Sequence, residues 1–204
     1  MADKEEHTIE KKKLGVRDFI TVGIFTAILF VVEFACALLG YLHPIMVAAL
    51  SVLIPIVGCI PMMLFYTKVE KFGMITIMSI LMAIILFVTG MGYLGAPITI
   101  ISGVVADLIA KSGGYKSFKK TILSNGIFSF WICSNYFPVV VTADSYRKDL
   151  IDAGYSAEYC DSLFAFVNYK TIAVLFIVCL ACGCLGALIG KAAVKKHFEK
   201  AGIV

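Results

Sequence analysis

The residues best placed to do chemistry are two acids set in apolar surroundings. An ionisable group inside a membrane-spanning helix costs about 2.5–3.5 kcal/mol to insert, so it marks a site that binds, pairs or relays. Glu33 stands in the run FITVGIFTAILFVVEFACALLG, four residues past its middle. At about 1.5 Å per residue that is roughly 6 Å outward of the midplane. Asp107 stands one turn before Lys111, where an i,i+4 ion pair is a sufficient structural account. For Glu33 the bland account is a protonated or hydrogen-bonded carboxyl packed between helices, and contact with a ligand is the preferred one.

A matching surface comes from the stretch around Trp131. Trp131, Asn135 and Pro138 recur at helical spacing, with Asn135 at about the depth of Glu33. Trp131 would stack on a ring and Asn135 would fix its edge, with Tyr136 beside them. His43, Tyr93, Thr99, Asn168 and Tyr169 fall near the outer ends of other apolar runs and would rim an outward-facing cavity. The substrate-binding set is therefore Glu33, His43, Tyr93, Trp131, Asn135, Tyr136, Asn168 and Tyr169. No Lys or Arg falls in the interior of an apolar run to pair with Glu33, and the nearest outer base is Lys170 at the start of the last run, which could snorkel towards it. A protonated ligand nitrogen would meet the same need, so the expected solute is small, ring-containing and neutral to cationic.

Catalysis finds little support. The chain has no GxxxxGK[ST] loop, no HExxH and no GxSxG. Glu33 with His43 is the one acid–base pair on offer, ten residues apart and separated in depth. The seven cysteines give no disulfide framework, and CLACGC at Cys179–Cys184 lacks the second half and the histidine of a zinc site. The expectation is a non-enzyme with no catalytic residue, no metal and no cofactor.

The elements that must position these groups are membrane helices. Of 204 residues, 60% are hydrophobic and 16% charged, which excludes an ordinary soluble domain. Six apolar runs approach the roughly 20 residues a spanning helix needs: Phe19 to Gly40, Pro44 to Tyr66, Phe72 to Gly92, Gly95 to Ala110, Thr121 to Val141 and Val167 to Gly190. The fourth, short and opening with GAP, is a candidate for a partly re-entrant segment. Stretches such as ITIMSILMAIILFVTG are continuously apolar, unlike the alternating strands of a barrel. The fold class is thus all-α, a polytopic bundle of six transmembrane helices in one integral membrane domain, 1–204.

Charge sets the orientation. The N-terminal segment, the breaks at Lys68–Lys71 and Lys111–Lys120, and the tail after Gly190 hold 15 of the 18 Lys and Arg, against Arg147, Lys148 and Lys170 elsewhere. The positive-inside rule places segment 1–18 and tail 191–204 in the cytoplasm of a plasma-membrane protein. The same lysines then face headgroups rather than nucleic acid. The N-terminus lacks a cleavage site and is expected to stay attached. Segment 142–166 lies outside as a loop or lid, with Asp144 or Ser145 capping one short helix and Ser156 a second, separated by Gly154. Small residues form two faces, Gly23 with Ala27 in the first run and Gly183, Gly186 and Gly190 in the last. One would serve the fold and the other a partner.

The six-run size, the Gly23–Ala27 pair, the stretch ADLIAKSGGYKSFKK from Ala106 to Lys120 and the tail KKHFEKAGIV from Lys195 to Val204 resemble the Trep_Strep, or MptD, family. That family is classed among the S components of energy-coupling factor (ECF) transporters. The resemblance implies an S-component bundle that captures a vitamin or other scarce micronutrient outside the cell. Its partners would be a membrane T component and two ATPase subunits, whose ATP hydrolysis drives toppling of the S component. Gly23 and Ala27 match the AxxxA position of the first helix that docks the T component, with Gly in place of the first Ala. The resemblance carries no substrate. An autonomous small-solute channel or carrier is the alternative.

Overall fold

The computed structural model describes residues 13–90 and 93–196, and of Tyr93 only the backbone. The segment 1–12 and the tail from 197, about which the sequence made expectations, lie outside the described residues. The regular structure of the described residues is helical, without strands. Helix α1 (Val16–Ala37) runs on through a 3₁₀ turn at Leu38–Tyr41. It is followed by α2 (Pro44–Val57), α3 (Cys59–Lys68), α4 (Met74–Val88) and α5 (Ala96–Ser112). Then come α6 (Phe118–Phe128), a 3₁₀ segment Ser129–Tyr136, α7 (Phe137–Val141), α8 (Ala143–Asp152), α9 (Ala157–Phe166) and α10 (Tyr169–Val194).

Each of the six apolar runs is helical, but not all are long single helices. Val16–Tyr41 and Tyr169–Val194, 26 residues each, are long and apolar enough to cross a membrane. Counting two bent pairs as one span each gives four: α2 with α3, bent by 47°, and Phe118–Val141 with α8, bent by 102°. α4 is apolar but has 15 residues. α5 is one continuous helix of 17 residues, so the fourth run has no internal break.

The break between α2 and α3 and the tightening of the fifth run have local causes. Pro55 inside α2 has no N–H for the carbonyl of Ser51, and the helix breaks at Gly58. The Cys179 thiol on α10 donates to the freed Ser51 carbonyl at 3.6 Å. In the fifth run, Ser129 Oγ donates to the Asn125 carbonyl and Ser134 Oγ to the Trp131 carbonyl. Such back-bonding competes with the α-helical ladder, and the run tightens to 3₁₀ just before Pro138.

α4 has Met74, Ile75, Met78, Met82 and Leu86 essentially unexposed, and it packs between α1 and α5. Close backbone approach holds the bundle elsewhere. A Cβ on Gly186 or Gly190 of α10 would collide with the carbonyl oxygens of Pro55 and Cys59, and one on Gly183 with Ser129 Oγ and the backbone of Gly126. The small-residue face of the last run therefore serves the fold.

Asp107 corrects an expectation. It does not pair with Lys111, whose Nζ lies 5.1 Å from the Phe72 ring centroid. The fully buried carboxylate reaches instead across to the start of α4. There Oδ2 accepts from Gly73 N (2.8 Å), Thr76 N (3.1 Å) and Thr76 Oγ (3.0 Å). Oδ1 accepts from the Tyr115 hydroxyl at 3.1 Å. A helix N-terminus offers unpaired N–H groups and partial positive charge, which outcompetes a flexible lysine that can reach solvent. Gly73 takes φ +107° to present its N–H. Burial, then the charge of Asp107, pushes the Tyr115 phenol above its ordinary range, so it remains a donor.

At the other end, α8 and α9 form a two-helix cover over segment 142–166. Ser156 caps α9 by accepting from Tyr159 N at 3.1 Å. α8 begins earlier than the expected cap at Asp144 or Ser145: Thr142 holds the N-cap position, and Ser145 Oγ donates back to the Thr142 carbonyl. Gly154, at φ +95°, separates the two helices, and Arg147 pairs with Asp161 across them at 2.6 Å.

Candidate functional site: a lidded cavity around Glu33

Beneath that cover lies a cavity of about 410 Å³, within the range of small-molecule sites. Its walls come from the end of α1 (Glu33, Phe34, Ala37), the 3₁₀ turn (Leu38, Gly40, Tyr41), α2 (Val47, Leu50, Ile54), the end of α4 and the 3₁₀ segment with α7 (Ile132, Asn135, Tyr136, Val139). The roof is Tyr146, Asp149, Leu150 and Ala153 of α8 and its turn, with Tyr155, Tyr159 and Leu163 leading into and along α9. A smaller recess of about 220 Å³ shares Tyr41, Ala153, Tyr155 and Tyr159 with it.

The polar groups of this cavity divide into satisfied and orphaned. The Tyr136 hydroxyl exchanges a 2.7 Å hydrogen bond with Ser51 Oγ and donates to the Val47 carbonyl at 2.9 Å. The Tyr159 hydroxyl donates to the Gly40 carbonyl at 2.6 Å; burial raises its pKa to about 12, so it remains a donor at neutral pH. Glu33 is 2% exposed, and its Oε2 has no hydrogen-bond partner; neither does the buried Oδ1 of Asn135. A buried polar atom left unpaired costs about 1–3 kcal/mol, and two such atoms line one cavity. Both are acceptors. No Lys, Arg or His lines the cavity among the described residues.

Three of the sequence-expected residues meet here: Glu33, Asn135 and Tyr136. The others do not. Trp131 is buried in the core, outside the lining, because the segment turns with about three residues per turn rather than 3.6. In that geometry Ile132 and Asn135 share a face, and Trp131 goes with Ser134. His43 caps α2, its Nδ1 accepting from Ile45 N at 3.2 Å. Asn168 caps α10, its Oδ1 accepting from Lys170 N and Thr171 N. Tyr169 is largely exposed and Thr99 bonds to Gly95 and Ser134. The side chain of Tyr93 lies outside the described residues. Lys170 is exposed and does not reach Glu33.

Sequence reasoning missed Tyr41, Tyr146, Asp149, Tyr155 and Tyr159 as site residues. A signal existed: 146, 149, 150 and 153 follow i, i+3, i+4, i+7, and 155, 159 and 163 are four apart, each the spacing of one helix face. In the roof, Tyr41 and Tyr155 stack with centroids 4.9 Å apart and 14° between planes, and Tyr155 meets Tyr159 at 4.8 Å.

A second surface concerns association. Ala27 is exposed with Ile20, Ile24, Ile28 and Val31, and a Cβ added at Gly23 would meet nothing within 4 Å. This face of α1 has no packing role within the described residues, unlike the α10 glycines.

A family model described as a hypothetical bacterial integral membrane protein (Trep_Strep) matches residues 16–200. The chain belongs to that family. No curated protein matches the chain, and no solved structure does.

Proposed function

We propose that this membrane protein is the solute-binding S component of an ECF-type importer. It captures a vitamin or related micronutrient in the cavity around Glu33 and delivers it with a T component and two ATPases. The carrying observation is the pair of orphaned acceptors, Glu33 Oε2 and Asn135 Oδ1, lining a cavity roofed by α8 and α9. A fold has no reason to leave two buried acceptors unpaired in one place unless something else completes them. The family membership and the unpacked Gly23–Ala27 face on α1 support the association half of the reading. ATP hydrolysis is assigned to the partners, since no phosphate-binding loop occurs in the sequence.

The same reading takes six spans, with both termini cytoplasmic and the α8–α9 cover outside the plasma membrane. The 15 to 3 division of basic residues supports it. Cysteine placed at Lys116 should react with a membrane-impermeant reagent only from the inside, and labelling only from outside would overturn the topology. The function is tested by affinity capture from its native membrane: a T component with two ATPases should co-purify with wild type. Solute uptake by the chain alone in liposomes would instead favour an autonomous carrier.

A further inference from the structure

The cavity also constrains what it binds, an inference that rests on the solute-capture reading above. The two buried polar atoms left unpaired in it are a carboxyl and an amide oxygen, Glu33 Oε2 and Asn135 Oδ1. Its ionisable acids are Glu33, deep and 2% exposed, and Asp149, exposed on the roof; no basic side chain lines it among the described residues. The roof adds ring faces, Tyr41 stacked on Tyr155 and Tyr155 against Tyr159. The phenol of Tyr136 is turned to Ser51 and Val47, and that of Tyr159 to Gly40, so neither hydroxyl proton is free for an anionic guest.

An anion in this enclosure would meet the carboxyls of Glu33 and Asp149 and the Asn135 Oδ1, with no basic side chain among the described residues to offset them. A cation would pair with Glu33 and hold it ionised, which a neutral ring cannot do. We infer that the ligand is an organic cation of small size bearing N–H groups. Glu33 takes its charge and Asn135 accepts a second N–H. The tyrosine faces of the roof receive the remainder through ring and cation–π contact. Asp149, at the solvent side, draws the cation in and contributes less to holding it, since an exposed charge is screened.

The test separates this inference from the capture reading. A bacterial small-molecule extract is divided by ion exchange into cationic, neutral and anionic fractions, and each is scored by the thermal shift it gives the purified, ligand-stripped protein in detergent. The cationic fraction should raise the melting temperature of wild type. Titrated against Glu33→Gln, the same fraction should need about 10- to 100-fold more material for half the effect, the scale of a lost hydrogen bond to a charged group. Against Asp149→Asn it should need only a few-fold more. The unliganded melting temperature of each variant shows that it is folded, and Glu33→Asp, which keeps the charge, should recover part of the response. Stabilisation by the anionic or neutral fraction, or an undiminished response in Glu33→Gln, overturns the cation assignment and leaves capture standing. Stabilisation by no fraction overturns capture itself, and the assignment with it.

Discussion

Asp107 and Glu33 are both buried acids in an apolar helical protein, and they sit at opposite ends of it in opposite states. Asp107 accepts four hydrogen bonds, three from the first turn of α4 and one from Tyr115. Glu33 has an oxygen with no partner and faces a cavity. The lysine-rich end is thus built as a closed corner. The stretch Ala106–Lys120 supplies its parts: the Ala106 carbonyl accepts from Ser124 Oγ at 2.7 Å, and Gly114 and Tyr115 both take φ +59° to turn the chain back. A tyrosine in the left-handed region is uncommon, and the Tyr115–Asp107 hydrogen bond holds it there. The lid end is built with its polar groups incomplete, which a fold tolerates where a ligand completes them.

The comparison breaks first, and most severely, at Asp107. Asp107→Ala leaves the Gly73 and Thr76 N–H groups and two hydroxyls without their acceptor, at about 1–3 kcal/mol for each buried orphan. A total loss of about 3–5 kcal/mol is expected, read as a fall in melting temperature on the order of 10 °C. A melting temperature within about 2 °C of wild type would show that the corner is not the structural anchor described.

The two glycine faces give the next effect. Gly186→Leu drives a side chain into the Pro55 carbonyl and should destabilise by at least about 1–3 kcal/mol, the usual cost of overpacking. Gly23→Leu, with open space around it, should leave the melting temperature unchanged while abolishing co-purification of the T component. Normal complex recovery from Gly23→Leu, or from Ala27→Leu, would remove α1 from the docking surface.

How far the sequence carried these assignments depended on how local the determining physics was. Helical class, the positions of the apolar runs, and the Ser156 cap with its Gly154 break were legible, because periodicity, capping chemistry and turn residues act over a few positions. Glu33, Asn135 and Tyr136 were legible as candidates from depth and residue type. Trp131 was misplaced because a switch from 3.6 to about three residues per turn follows from side-chain back-bonds at Ser129 and Ser134, which the apolar pattern does not record. Asp107 was assigned to its helical neighbour Lys111 because its actual partners are 31 and 34 residues away in sequence, apart from Tyr115. His43 and Asn168 were taken for rim residues, although each precedes a helix and caps it.

A smaller effect should localise to the lid. Tyr159→Phe deletes the hydrogen bond from α9 to the Gly40 carbonyl, worth about 0.5–1.5 kcal/mol, and leaves the ring stack in place. Amide hydrogen exchange across residues 143–166 should quicken several-fold, while exchange around Gly73–Thr76 stays as in wild type. Equal changes at both ends would mean that the lid and the corner are one cooperative unit, against the division drawn here.

The smallest expected change is the most discriminating, because it makes one chemical edit at both ends. Asp107→Asn and Glu33→Gln each turn a carboxylate into its isosteric amide. At Asp107 the amide NH₂ fits only toward Tyr115, whose hydroxyl must turn to accept it, and the bonds from Gly73 and Thr76 lose their charged acceptor, so stability should fall. At Glu33 the edited oxygen had no partner to lose, and an amide costs less than a carboxylate to keep in apolar surroundings. Unliganded Glu33→Gln should therefore unfold within about 0.5 kcal/mol of wild type or slightly above it, the range of a substitution that touches no structural feature. If Glu33→Gln instead loses as much as Asp107→Asn, Glu33 is held by the fold in the way Asp107 is. The cavity would then have no unsatisfied acid to offer a solute, and the asymmetry between the two ends on which the functional reading rests would be gone.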